Sequence, residues 1–86
     1  MLLSQYKDRE ESTMARFLVE FCKFSDGTWY TKTETDSPGA AASVANVHFG
    51  RISRVVDTFT GKITIYNKNV DWDRYKENGV DVEHLR

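Results

Sequence analysis

One block of the chain leaves its local structure little freedom. Residues 36–45 read DSPGAAASVA. Asp36 or Ser37 can act as an N-cap, accepting one of the backbone N–H groups that a helix start leaves unpaired. Pro38 suits the first helical position, where its missing N–H costs nothing. Ala41, Val44, Ala45 and His48 recur at i, i+3, i+4 and i+7, which is one helix face. Gly50 offers a left-handed stop. The spacing therefore predicts a helix over 36–50, with a small, Ala-rich face that can lie close to a sheet.

The flanking segments predict that sheet. Residues 16–24, RFLVEFCKF, are rich in Phe and Val and contain neither Gly nor Pro. Phe17, Val19 and Phe21 fall on one face, and Leu18, Cys22 and Phe24 mainly on the other. Two apolar faces predict a central strand with something covering each side. Ser25-Asp26-Gly27 is a turn signal, because Gly accepts positive φ. Residues 28–35 then return as a half-exposed outer strand, with Trp29, Thr31 and Thr33 on one face and Tyr30, Lys32 and Glu34 on the other. Beyond the helix, residues 51–57 and 62–67 form two further strands around a Thr60-Gly61 turn. Ile52, Arg54 and Val56 share a face, as do Ile63 and Ile65, while Thr64 and Tyr66 point the opposite way.

With 86 residues the chain is one small domain, burying only about 60% of its unfolded surface. Aromatics make up 13% of it, which helps so small a core. Residues 1–13 are mostly polar after Leu2 and Leu3 and read as a flexible or weakly docked segment, although Leu2, Leu3 and Tyr6 have helical spacing. Residues 14–70 form the ββαββ core domain. Residues 71–86 are a polar, acidic segment with five acids against three bases. Within it Asp71 can cap a short helix closed by Asn78-Gly79, and Trp72 and Tyr75 can dock that helix onto the sheet. The expected fold is α+β: a small, four-stranded, mainly antiparallel sheet with one helix on a face and a short C-terminal helical segment. Its expected core includes Phe17, Val19, Phe21, Trp29, Val44, Ile52, Val56, Ile63 and Ile65.

Several functional classes find little support. Cys22 is the one cysteine, so no internal disulfide is available and no Cys/His cluster suggests zinc. No run approaches the ~20 apolar residues of a membrane span, and the N-terminal apolar run is too short for a signal peptide. These features predict a cytoplasmic protein with no membrane contact. Gly61-Lys62 lacks the earlier Gly and following helix of a phosphate loop. Cys22 and His48 invite a nucleophile–base reading, but a mid-strand thiol and a helix-end imidazole have structural roles by default. Asp71, Asp73, Asp81 and Glu83 lack the ligand spacing of a calcium loop. The expectation is no catalytic residue, no metal and no cofactor.

Two binding readings remain. Arg51, Arg54, Lys62 and Lys68, near Trp29, Tyr30 and Tyr66, suggest a basic, aromatic sheet face for single-stranded RNA or DNA. Residues 14–70 carry seven bases against five acids, and the whole chain is close to neutral at −1, which makes nucleic acid the second choice. Protein binding is the first. Tyr, Trp and Arg dominate interface hot spots, and open sheet edges invite strand addition. The contact residues expected on this reading are Tyr30, Arg51, Arg54, Tyr66, Trp72 and Tyr75. The partner is a larger protein complex or a second copy of the chain.

The hairpin over 16–35, then DSPGAAASVA, then two strands up to Asn67, resembles small phage-encoded inhibitors, including anti-CRISPR proteins. The likeness spans 16–67 in arrangement and 36–45 in wording, and it assigns no functional residue. It implies a short, cofactor-free α/β chain, from a phage or mobile element, that inhibits or modulates a host complex by binding its surface.

Overall fold

Apolar residues on both sides of a strand demand cover on both sides, and strand β1 (Phe17–Cys22) lies accordingly inside the sheet. The computed structural model describes residues 15–47 and 49–86. The expectations for residues 1–13 and for His48 lie outside that set. Strands β2 (Trp29–Thr35), β3 (Ser53–Asp57) and β4 (Ile63–Tyr66) complete an antiparallel sheet in the order β2-β1-β3-β4. Helix α1 (Pro38–Ala45) joins the two hairpins, and helix α2 (Trp72–Glu77) and a 3-10 turn (Glu83–Leu85) follow. The fold is α+β with ββαββ order, as the sequence predicts.

Helix α1 begins as the capping chemistry requires. The Ser37 hydroxyl accepts the Ala40 N–H at 3.1 Å, with Pro38 in the first turn. The helix ends at Ala45, earlier than expected. Asn46 still has right-handed backbone angles; its N–H donates to the Ala42 carbonyl at 3.0 Å, and the Val47 N–H donates to the Val44 carbonyl at 3.1 Å. The left-handed Gly50, φ 82°, belongs to the loop that enters β3 and is not the helix cap. Ser53 is fully buried, and its hydroxyl donates to the Ala45 carbonyl at 2.7 Å. That bond satisfies one of the carbonyls a helix C-terminus leaves free and ties α1 to β3.

The sheet carries a cluster on each face. Beneath α1, Val19 and Phe21 pack with Ala41 and Ala45, and Tyr30, Val55 and Tyr66 close the sides. On the opposite face Cys22, Phe24 and Ile52 pack with Tyr75 and Val82. Residues 71–86 therefore supply core side chains despite their charge. Asp71 caps α2 through the Arg74 N–H, and Tyr75 is fully buried.

Two further sequence expectations change. Alternation along β2 breaks, because Glu20 pairs with Thr31 whereas Val19 pairs with Thr33. Lys32 is the extra residue of this β-bulge, and it brings Thr33 to the α1 face, away from Trp29. The predicted core also needs revision. Ile63 is 49% exposed, and Phe17, Trp29, Val44, Val56 and Ile65 are half-buried. A four-residue edge strand has a neighbour on one side only, so its outer residue finds less cover.

Candidate interaction surface

The six expected contact residues do not form one surface. Tyr75 is part of the core. Its hydroxyl donates to the Cys22 carbonyl at 2.7 Å and accepts the Ile52 N–H at 2.9 Å, and burial pushes its pKa up. Periodicity marked it as an aromatic docking onto the sheet, but not as one fully enclosed there. Tyr30 and Tyr66 pack on the α1 face, Tyr30 edge-on to Phe21 at 6.0 Å between ring centroids. Arg51, Arg54 and Trp72 lie on the opposite face. Arg54 donates to Glu20 at 2.6 Å and stacks over the Trp29 ring at 4.0 Å. Arg51 stacks over Phe24 at 5.2 Å, and Arg74 covers the same ring at 4.3 Å. Cross-strand register separates Arg54 and Trp29 from Tyr30, Lys62 and Tyr66, so the basic and aromatic residues expected to act together are divided between faces.

A cleft of about 380 Å³ runs between α2 and the 3-10 turn and is lined by Trp72, Asp73, Lys76, Asp81 and Glu83, among others. Its Trp72 ring already carries the Arg86 guanidinium at 4.8 Å, which also pairs with Glu83 at 2.9 Å. Mixed charge and an internal partner leave it no evident chemistry. Among the described residues no group of three His, Cys, Asp or Glu side chains is placed to hold a metal ion. No described helix is long and apolar enough to cross a membrane.

A different surface stands out. Beside the C-terminal end of α1, a shallow cleft of about 260 Å³ is lined by Phe21, Val44, Val47 and Phe49, with Ser43 and Lys32 beside them. Lys32 is the one charged residue among its described lining, and it shares the α1 face with Tyr30 two residues before it. Val47 is 53% exposed and Phe49 is 74% exposed. Phe49 also has φ 49°, a left-handed backbone that a bulky residue adopts only under strain. An exposed aromatic side chain held in a strained loop gains nothing for folding, and such strain concentrates at functional sites. Periodicity missed Phe49 because the expected helix over 36–50 enclosed it off its apolar face, whereas α1 ends at Ala45 and leaves it in the loop before β3. The signal available was a large aromatic residue off the helix face, next to Gly50.

Comparison with known proteins finds no matching family model, no similar curated protein and no similar solved structure.

Proposed function

We propose that the chain is a non-enzymatic protein-binding module that acts by covering part of a larger assembly, as its resemblance to phage-encoded inhibitors implies. The observation that carries this reading is Phe49, exposed and strained at the rim of an apolar cleft. Hot spots are large rigid side chains set in small apolar surroundings, and Phe49 with Val47, Val44 and Phe21 has that composition. The partner's chemistry follows from the lining. An apolar anchor fills the cleft, and a carboxylate beside it meets the Lys32 ammonium.

The test is parallel capture from host lysate, treated with nuclease, on the wild-type protein, Phe49→Ala and Lys32→Glu. Support is one stoichiometric protein retained by the wild type and lost from Phe49→Ala, with reduced retention on Lys32→Glu and all three proteins melting cooperatively. Capture unchanged by both substitutions overturns the site. Capture abolished by nuclease moves the reading to nucleic acid.

A further inference from the structure

The two sheet edges are finished differently. Strand β2 forms one edge and carries two devices that discourage pairing with another chain: a charged residue, Lys32, and a bulge. Its sequence TKTET would otherwise be self-complementary, with Lys32 opposite Glu34 of a second copy. Lys32 stays on the α1 face with Tyr30, while the bulge turns Glu34, opposite Leu18, to the other. Strand β4 forms the second edge and reads ITIY, without a charge, proline or bulge. Its Ile63 is 49% exposed.

The ladder shows which backbone groups β4 presents. Asp57 N–H donates to the Lys62 carbonyl at 2.8 Å, so Asp57 and Lys62 form a hydrogen-bonded pair. Hydrogen-bonded and non-hydrogen-bonded pairs alternate in an antiparallel ladder. Val55 with Thr64 and Ser53 with Tyr66 are then bonded pairs as well. Ile63 and Ile65 consequently direct their N–H and C=O groups away from β3, toward the edge. No described strand pairs there.

We propose that β4 pairs with β4 of a second copy, antiparallel, about a two-fold axis through Thr64. In that register Ile63 lies opposite Ile65 of the second copy, and Ile65 opposite its Ile63. These are the residues whose backbone groups face outward, so each pair exchanges two hydrogen bonds. The axis stands perpendicular to the sheet and keeps like faces together. Both isoleucine pairs fall on the face opposite α1, where each exposed Ile63 is covered by an Ile65. Thr64 meets Thr64 on the α1 face, and Lys62 lies opposite Tyr66. No like charges oppose, and apolar pairs across a ladder are stabilising. The product is a continuous eight-stranded sheet with the order β2-β1-β3-β4-β4-β3-β1-β2. The inference is independent of the Phe49 reading, because the two surfaces do not overlap, and the dimer carries both Phe49 clefts on the same face.

Sedimentation velocity over a micromolar-to-millimolar range, with amide exchange read by NMR, tests it. The expected result is a concentration-dependent shift from the 9.9 kDa monomer to twice that mass, with the Ile63 and Ile65 amides gaining protection as the dimer forms. Ile63→Pro removes an outward N–H without touching the β3 ladder and should weaken association by about tenfold or more. Ile63→Lys places a charge against Ile65 and should do the same if the proline variant fails to fold. A monomer throughout the range overturns the proposal. So does a dimer that survives these substitutions or leaves both amides unprotected.

Discussion

The Tyr75 hydroxyl occupies a place in the β1–β3 ladder. Cys22 N–H donates to the Ile52 carbonyl at 2.8 Å, as in an ordinary bonded pair. The reciprocal bond from Ile52 N–H to the Cys22 carbonyl is absent as a direct contact, and the phenol oxygen bridges the two groups. Tyr75→Phe therefore leaves a buried donor and a buried acceptor without a partner. Each orphan group costs about 1–3 kcal/mol, and urea denaturation should show a loss of that order. A change under about 0.5 kcal/mol would mean that the ladder closes by itself. Asp57 is the second residue with a defined consequence. Arg16 binds both of its carboxylate oxygens, at 3.1 and 3.0 Å, and the Phe59 N–H donates to it at 2.9 Å. The Arg16 hydrogen bonds chiefly hold its pKa at about 2, below the roughly 3.9 of an unfolded chain. A carboxyl lowered on folding stabilises the folded state above the unfolded pKa, and that contribution disappears as pH falls through the folded value. Melting temperature should therefore drop between about pH 4 and pH 2, and Asp57→Asn should flatten that part of the profile.

Each element was legible in sequence to the degree that its signals were local. The N-terminus of α1 was readable because Ser37 and Pro38 act within one turn. Its C-terminus was not, because no glycine marks the end at Asn46 and the helical spacing continued past it in the sequence. The faces of β1, β3 and β4 followed from simple alternation. The bulge in β2 follows from pairing with β1 and has no signature in TWYTKTET itself. Among the candidate site residues, Tyr30, Arg51, Arg54, Tyr66 and Trp72 were recognisable as types, but only the register shows that they lie on two faces. The Phe24–Thr28 turn offers a test at this scale. Gly27 has φ 78°, and a Cβ built there would stand 2.7 Å from Val80 Cγ1. Gly79 has φ 74° and open space around it. Gly79→Ala should thus report backbone strain alone, of about 1 kcal/mol, and Gly27→Ala should cost more, because it adds the clash. Adding Val80→Ala to the Gly27→Ala chain should narrow the gap between them in thermal melts, and no narrowing would mean that Val80 moves aside without penalty.

At the scale of the whole molecule, composition was a poor guide to where the core would be completed. Five acids between 71 and 83 marked that stretch as solvated, yet Tyr75 and Val82 from it are buried against Cys22, Phe24 and Ile52. Charged residues on the outer side of α2 conceal the contribution of its inner side. A chain ending at Val70 should lose cooperative unfolding, and its Cys22 should react rapidly with a thiol reagent. In the intact protein that thiol is fully enclosed and burial raises its pKa, so the reaction should be slow. A shortened chain that kept both a sharp transition and a protected thiol would show that the sheet and α1 suffice. The Tyr75 bridge also sets a timetable for biosynthesis. A ribosome that has already released all four strands has produced a sheet with one side open to proteases and chaperones, and the nascent chain must wait for residues 72–82 before a stable product exists. Slow codons placed between β4 and α2 would lengthen that interval and lower the yield of folded protein, without altering a single amino acid.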